Sequence, residues 1–262
     1  MRQLTAKKRP TVGIFGLTGC AGDQLVILDC EDELLELVGS LDIRDFALAS
    51  SENDAECELD VALVEGAVLS GRDQQALERI RARSRILVAI GTCAVCGGVA
   101  AMDRDSDRPQ LLRWVYGAMG SRYDTAPARA LHEVVAVDLA IPGCPIEKEE
   151  LLAAVAHLLQ GNPPLLSGHS VCAECRMGEN NCLLIERGEP CLGPLTVGGC
   201  GARCPALRIP CVGCRGPAAE INVASAVATL EEKGIPREEI AKRLGTFAPI
   251  PLAAGQERGA VR

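Results

Sequence analysis

The stretch Val61–Gly98, VALVEGAVLSGRDQQALERIRARSRILVAIGTCAVCGG, decides the fold. It opens on a short β-branched run, Val61–Val64, and passes through a helical pattern at Asp73–Arg83. It closes on a second such run, Ile86–Ile90, before a turn rich in Gly and Cys. Short continuous apolar runs read as strands buried on both faces, as in parallel sheets. Outward from here the same unit recurs. Thr11–Phe15 (TVGIF) and Val134–Val137 (VVAV) read as strands and Phe46–Ala49 as a weaker one, with helices at Gln24–Val38, Pro109–Met119 and Glu147–Leu159. Such alternation predicts an α/β sheet with helices on both faces.

A chain of 262 residues holds one large domain, or a medium domain and a small one. Hydrophobic residues make up 48% of it, enough for a core without disulfides. Its longest apolar stretches are too short to cross a bilayer. The beginning, MRQLTAKKRPTVGIFG, has the basic residues of a secretory signal but only a short apolar run and no small-residue cleavage site, so it reads as a first strand. A cytoplasmic chain with 14 cysteines is expected to use them for metal. A net charge of −8 and an aromatic content of 2% argue against nucleic-acid binding.

Three cysteines follow strands. Cys20 comes after the first, Cys93 after Ile86–Ile90, and Cys144, in IPGCP, after Val134–Val137. Loops after the strands of an open parallel sheet gather on one edge, so these three are expected to converge. Cys30 lies on a helical stripe with Ile27, Leu34 and Val38 and reads as a core thiol. Cys57 has no partner in its acidic stretch. Cys96, three residues past Cys93, reads as a packing residue or a spare ligand.

A second cysteine field runs from Val171 to Pro217 and carries Cys172, Cys175, Cys182, Cys191, Cys200, Cys204, Cys211 and Cys214. A C-x-x-C pair stands at each end, and Gly and Pro fill the gaps without helical or strand period. Eight thiolates match two four-cysteine iron–sulfur clusters, two structural zinc sites, or disulfides. The scattered single cysteines speak against paired zinc knuckles, and zinc leaves the first three cysteines unexplained.

Cys20 in LTGC, Glu65 in VEGAV, Cys93 in GTCAVCGG and Cys144 in PGCP, with the run PCLGPLTVGGCGARCP…PCVGCRGP, resemble the small, electron-transferring subunit of nickel–iron hydrogenases. The cysteine field is similar to that of the delta subunit of NAD(P)-linked sulfhydrogenases and of F420- and viologen-reducing enzymes. The likeness runs from Thr11 to about Phe247. It implies a flavodoxin-like domain, residues 1–165, with a proximal cluster, and a loop-rich domain, residues 166–262, with a medial and a distal one. Three 4Fe–4S clusters are thus expected. The nickel–iron centre would belong to a large subunit covering the edge with Cys20, Cys93 and Cys144. FAD would belong to a flavin/NAD(P) partner alongside ferredoxin-like subunits, in the cytoplasm and without a membrane segment. A quinone reductase of the complex I type is an alternative, although its subunits have adjacent cysteines at the first motif and lack the eight-cysteine tail.

The family's first motif is C-x-x-C, and here Asp23 stands in place of its second cysteine. Asp23 therefore either binds iron beside Cys20, Cys93 and Cys144 or caps the helix that follows it. The resemblance assigns Cys191, Cys211 and Cys214 to the medial cluster and Cys172, Cys175 and Cys182 to the distal one, with Cys200 and Cys204 supplying one ligand each. Glu65 reads as a proton relay or as a helix-end or interface contact. His132, His157 and His169 read as ordinary, and Gly255–Arg262 as a disordered tail.

Overall fold

β-Branched runs become strands where both of their faces find apolar cover. In the computed structural model, which describes residues 9–30, 33, 39–104 and 106–251, Thr11–Gly16 (β1), Asp42–Phe46 (β2), Leu59–Glu65 (β3), Ser84–Ile90 (β4) and Leu139–Ile141 (β5) form one sheet. All its pairings are parallel, in the order β2-β1-β3-β4-β5. That is the flavodoxin-like order, which reverses its direction of growth between β1 and β3 and opens a crevice at their carboxyl ends. Register lines those ends up, with Gly16 opposite Glu65, Glu65 opposite Ile90 and Ile90 opposite Ile141.

Alternation within each strand divides the core in two. Val61, Leu63, Ile86, Val88 and Ile90 face one side, where they meet Ile27 of α1 (Gly22–Leu28) and Leu151, Ala154 and Leu158 of α5 (Lys148–Leu159). Ala62, Val64, Leu87 and Ala89 face the other, where Leu77 and Ile80 of α2 (Gly71–Ala82) cover them. Ser70 starts α2 by accepting the Asp73 N–H, which satisfies one of the free donors of the first turn. Between α2 and α5 run α3 (Gly91–Cys96) and α4 (Arg108–Tyr116).

The cysteine field holds short helices, α6 (Val171–Met177), α7 (Leu183–Arg187) and α8 (Arg203–Ala206). Two longer ones follow, α9 (Val223–Glu232) and α10 (Arg237–Phe247). Leu184, Leu192, Leu195, Val227, Leu230, Ile240 and Leu244 form a core of their own there. α10 returns to pack on α3. Among the described residues no helix is long and apolar enough to cross a membrane.

Four sequence expectations need correction. Val134–Val137 is not a strand; Val134, Val135 and Val137 pack against the α2 face of the sheet, and pairing starts with Asp138, whose N–H meets Leu87 O at 2.9 Å. The weak strand lies at Asp42–Phe46, ahead of Phe46–Ala49, because an edge strand tolerates Asp42, Arg44 and Asp45. The helix expected over Gln24–Val38 breaks at Leu28, and residues 31–32 and 34–38 lie outside the described residues, as does the Gly255–Arg262 tail. The helix expected to reach Met119 turns into a 3₁₀ segment, Gly117–Arg122.

α4 buries none of its residues. Trp114 is 73% exposed, and Val115, Tyr116, Met119 and Tyr123 are exposed with it. Leu87, by contrast, is fully covered. Leu87→Ala should cost about 2–5 kcal/mol through lost burial and a residual cavity, whereas Trp114→Ala should stay within about 0.5 kcal/mol. Urea unfolding followed by circular dichroism measures both.

Candidate metal centres

The carboxyl ends of β1, β3, β4 and β5 deliver Cys20, Glu65, Cys93 and Cys144 to one edge, as the alternation of strands and helices predicts. Cys144 is pushed up to about 11, first by burial and then by neighbouring Cys93, Asp23, Cys20 and Glu65. Cys93 is raised by burial first, then by Asp23 and Cys20. These groups thus lie in one another's fields. Cys20 and Cys144 are exposed at this edge.

Asp23 is 6% exposed and does not cap its helix. Ala21, in the left-handed region at φ 63°, is the N-cap and makes no side-chain cap bond. Glu65 performs that task from the neighbouring strand, its Oε2 accepting the Gln24 backbone and side-chain N–H groups at 3.1 Å each. This geometry favours the helix-end reading of Glu65. Asp23 Oδ1 instead accepts the Ile146 N–H at 2.8 Å, two residues past Cys144. Its carboxyl is pushed up to about 6, chiefly by burial, with the Ile146 N–H opposing and Glu65 adding. Gly91, at φ +81°, makes room for it, since a Cβ there would strike the Asp23 carboxylate. A buried carboxylate with one backbone donor retains acceptor capacity for a cation.

Cys96 turns the other way. Its thiol reaches Thr92 O at 3.3 Å and Phe247 O at 3.6 Å, and burial pushes it up to about 12. It packs α3 against the end of α10.

Two groups form in the cysteine field. Cys172 is pushed up to about 11 by burial, then by Cys191, Cys175 and Cys182, and Cys175 is raised first by burial, with Asn180 opposing and Cys191 and Cys182 adding. Gly193 lies between two of these sulfurs; a Cβ there would sit 3.4 Å from Cys172 Sγ and 3.5 Å from Cys191 Sγ. The second group gathers on Cys214, pushed up to about 11 by burial and then by Cys200, Cys204 and Cys144. Cys211, pushed up to about 12 by burial, feels both Cys191 and Cys214. Cys211 links Cys191 with Cys214: its N–H donates to Cys191 Sγ at 3.3 Å, and Cys191 packs against it. Cys200 and Cys204 both act on Cys214, while Cys200 also packs, with Cys175 and Cys191, against Val171, Ala202 and Cys211.

All 14 cysteines lie within the described residues and are free, so disulfides do not account for them. Nor do any three His, Cys, Asp or Glu among the described residues gather closely enough to hold a single ion. Four thiolates in each group of the cysteine field match the ligand demand of one four-cysteine iron–sulfur cluster, or of one zinc ion. Buried thiols with little nearby positive charge favour a group that brings its own.

Three anchors went unseen in the sequence. Thr92, 1% exposed, accepts the Gly143 N–H at 3.1 Å and donates to Cys214 O, so one hydroxyl beside Cys93 joins the loops of Cys144 and Cys214. Glu174, inside the first C-x-x-C of the field, accepts the N–H groups of Gly199 and Ala202 on either side of Cys200. Arg215 pairs with Glu150 of α5 at 2.7 Å. A charged residue directly after the last C-x-x-C was the available signal for Arg215; the partners of Thr92 and Glu174 lie too far along the chain for any local pattern.

The model of the family "NADH ubiquinone oxidoreductase, 20 Kd subunit" matches residues 20–158. Sulfhydrogenase 2 subunit delta of Pyrococcus furiosus is 40% identical over 237 residues, 90% of this chain and 98% of that protein. An F420-non-reducing hydrogenase subunit (vhu) of Methanocaldococcus jannaschii is 31% identical, over 78% of this chain and 81% of its own. Among solved structures, a chain of the NAD+-reducing [NiFe]-hydrogenase in the H2-reduced state is similar at TM-score 0.56 and 28% identity, covering 61% of this chain and 96% of that one.

Thr92→Val keeps the shape but strands the Gly143 N–H and the Cys214 carbonyl. It should cost about 1–3 kcal/mol for each group left unpaired, and Thr92→Ser should recover most of that. Denaturant midpoints of the two variants check it.

Proposed function

The chain belongs to the NADH ubiquinone oxidoreductase 20 Kd subunit family, in its hydrogenase line, and from that we propose that it is the electron relay of a nickel–iron hydrogenase with three iron–sulfur centres. One observation carries the reading: each cysteine group adjoins the next. Cys144 neighbours both Cys93 and Cys214, and Cys211 neighbours both Cys214 and Cys191. Cys20 and Cys144 of the first group and Cys182 of the last are exposed.

We assign Cys20, Asp23, Cys93 and Cys144 to the proximal centre, Cys200, Cys204, Cys211 and Cys214 to the medial one, and Cys172, Cys175, Cys182 and Cys191 to the distal one. Each would hold a 4Fe–4S cluster, which supplies one-electron chemistry at a potential set by its surroundings. The chain's own residues hold the ligands apart, exclude water and fix the loops, with Asp23 anchoring the Cys144 turn through Ile146. Residues 1–165 form the sheet domain and 166–262 the loop-rich domain in this reading.

A large subunit with the nickel–iron centre would cover the sheet edge, where exposed sulfurs require a partner. An NAD(P)-linked flavin subunit, with ferredoxin-like subunits, would take electrons from the Cys182 end in the cytoplasm, in keeping with the NAD+-reducing relative. The complex I alternative has less support, because the sulfhydrogenase likeness extends over 90% of the chain.

Iron and acid-labile sulfide on the anaerobically purified complex test the reading. About twelve irons on this chain are expected, four per centre; zinc without sulfide would overturn it. Asp23→Ala should lower that count toward about eight, and Asp23→Cys should keep about twelve. Unchanged iron in Asp23→Ala would remove Asp23 from the ligand set.

A further inference from the structure

Arg215 follows Cys214 directly and is 2% exposed. One edge of its guanidinium is fully engaged. Nε donates to Gly198 O at 2.8 Å, and Nη2 donates to both carboxylate oxygens of Glu150, at 2.9 and 2.7 Å. Nη1 is buried and has no hydrogen-bond partner among the described residues. A buried, charged N–H without an acceptor is unusual and calls for a physical reason.

The stereochemistry of the group supplies one. Nη1 lies cis to Cδ, off the edge that Nε and Nη2 commit to Gly198 and Glu150. Glu150 neutralises the opposite edge. Arg215 is the residue next to Cys214, and its charge reaches that thiol, opposing the rise that burial and the neighbouring cysteines cause. A planar, rigid fork can hold two contacts on one edge while presenting a third donor elsewhere.

We infer that Arg215 is a positioning residue that presents its Nη1–H to the sulfur-bearing group bound by Cys200, Cys204, Cys211 and Cys214, and that it holds that group's reduction potential up. Hydrogen bonds to sulfur and nearby positive charge stabilise the reduced form of such a centre, which carries one more negative charge. Glu150 sets the strength of the effect, since it offsets part of the guanidinium charge. The inference rests on the iron–sulfur reading above.

Two variants of the whole complex, titrated anaerobically and followed by electron paramagnetic resonance, test it. Glu150→Gln leaves the guanidinium charge unopposed, so one of the midpoints should rise. Arg215→Gln combined with Glu150→Gln removes the pair without stranding a charge, so the same midpoint should fall. A tenfold loss in the ratio of reduced to oxidised centre is expected, about 59 mV for a one-electron couple. Midpoints that stay put, or move in the same direction in both variants, overturn the inference whatever the iron content. If the double variant loses its iron, Glu150→Gln decides alone, by a rise or by none. Absence of iron and sulfide from the unaltered complex would instead overturn the reading on which the inference rests.

Discussion

The hydroxyl of Thr92 holds loops that no strand ladder can reach. It sits beside Cys93, takes the N–H next to Cys144 and gives its own proton to the carbonyl of Cys214. Backbone in such loops has lost its regular partners and must find others. Here the others are side chains: Asp23 for Ile146, Glu174 for the Cys200 loop, and Arg215 for Gly198. Each bond is modest by itself. Together they fix the spacing of sulfurs that come from both halves of the chain.

Acidic groups and thiols outweigh cations in this region, where Arg176 acts on Cys172 and Arg215 on Cys214. Asp23 and Glu65 are buried among thiols, and Cys93, Cys144, Cys172, Cys211 and Cys214 are all raised, with burial the leading cause. Arg215 is the cation whose field reaches Cys214, and Glu150 offsets much of it. Anionic ligands crowded into low-dielectric space repel one another unless a cationic group sits among them. The fold thus concentrates the donors and leaves the compensating charge to be supplied.

Much of the sheet was legible because a strand buried on both faces cannot hide. β1, β3 and β4 fall within two residues of their expected limits, and the loops after them bring Cys20, Cys93 and Cys144 together as parallel topology requires. Val134–Val137 misled because β-branched residues serve face packing as well as pairing, and only the backbone distinguishes the two. β2 was displaced because its charges sit on an edge that tolerates them. At the centres, residue types were readable but partners were not. Asp23 stood out by standing where a cysteine usually does, yet the capping role open to it belongs to Glu65, 42 positions on in the sequence. The position of Cys191 depends on how the Gly-rich turn at Gly193 folds back on Cys172, which spacing alone does not contain.

The chain has a single tryptophan, and the fold puts it on the outside of α4, away from every core cluster. Its emission therefore begins at long wavelength in the native protein and has little further to shift when the chain unfolds. Intrinsic fluorescence is a poor gauge of folding here and a good one of contact. A blue shift would signal that something has covered this helix, without any label being added.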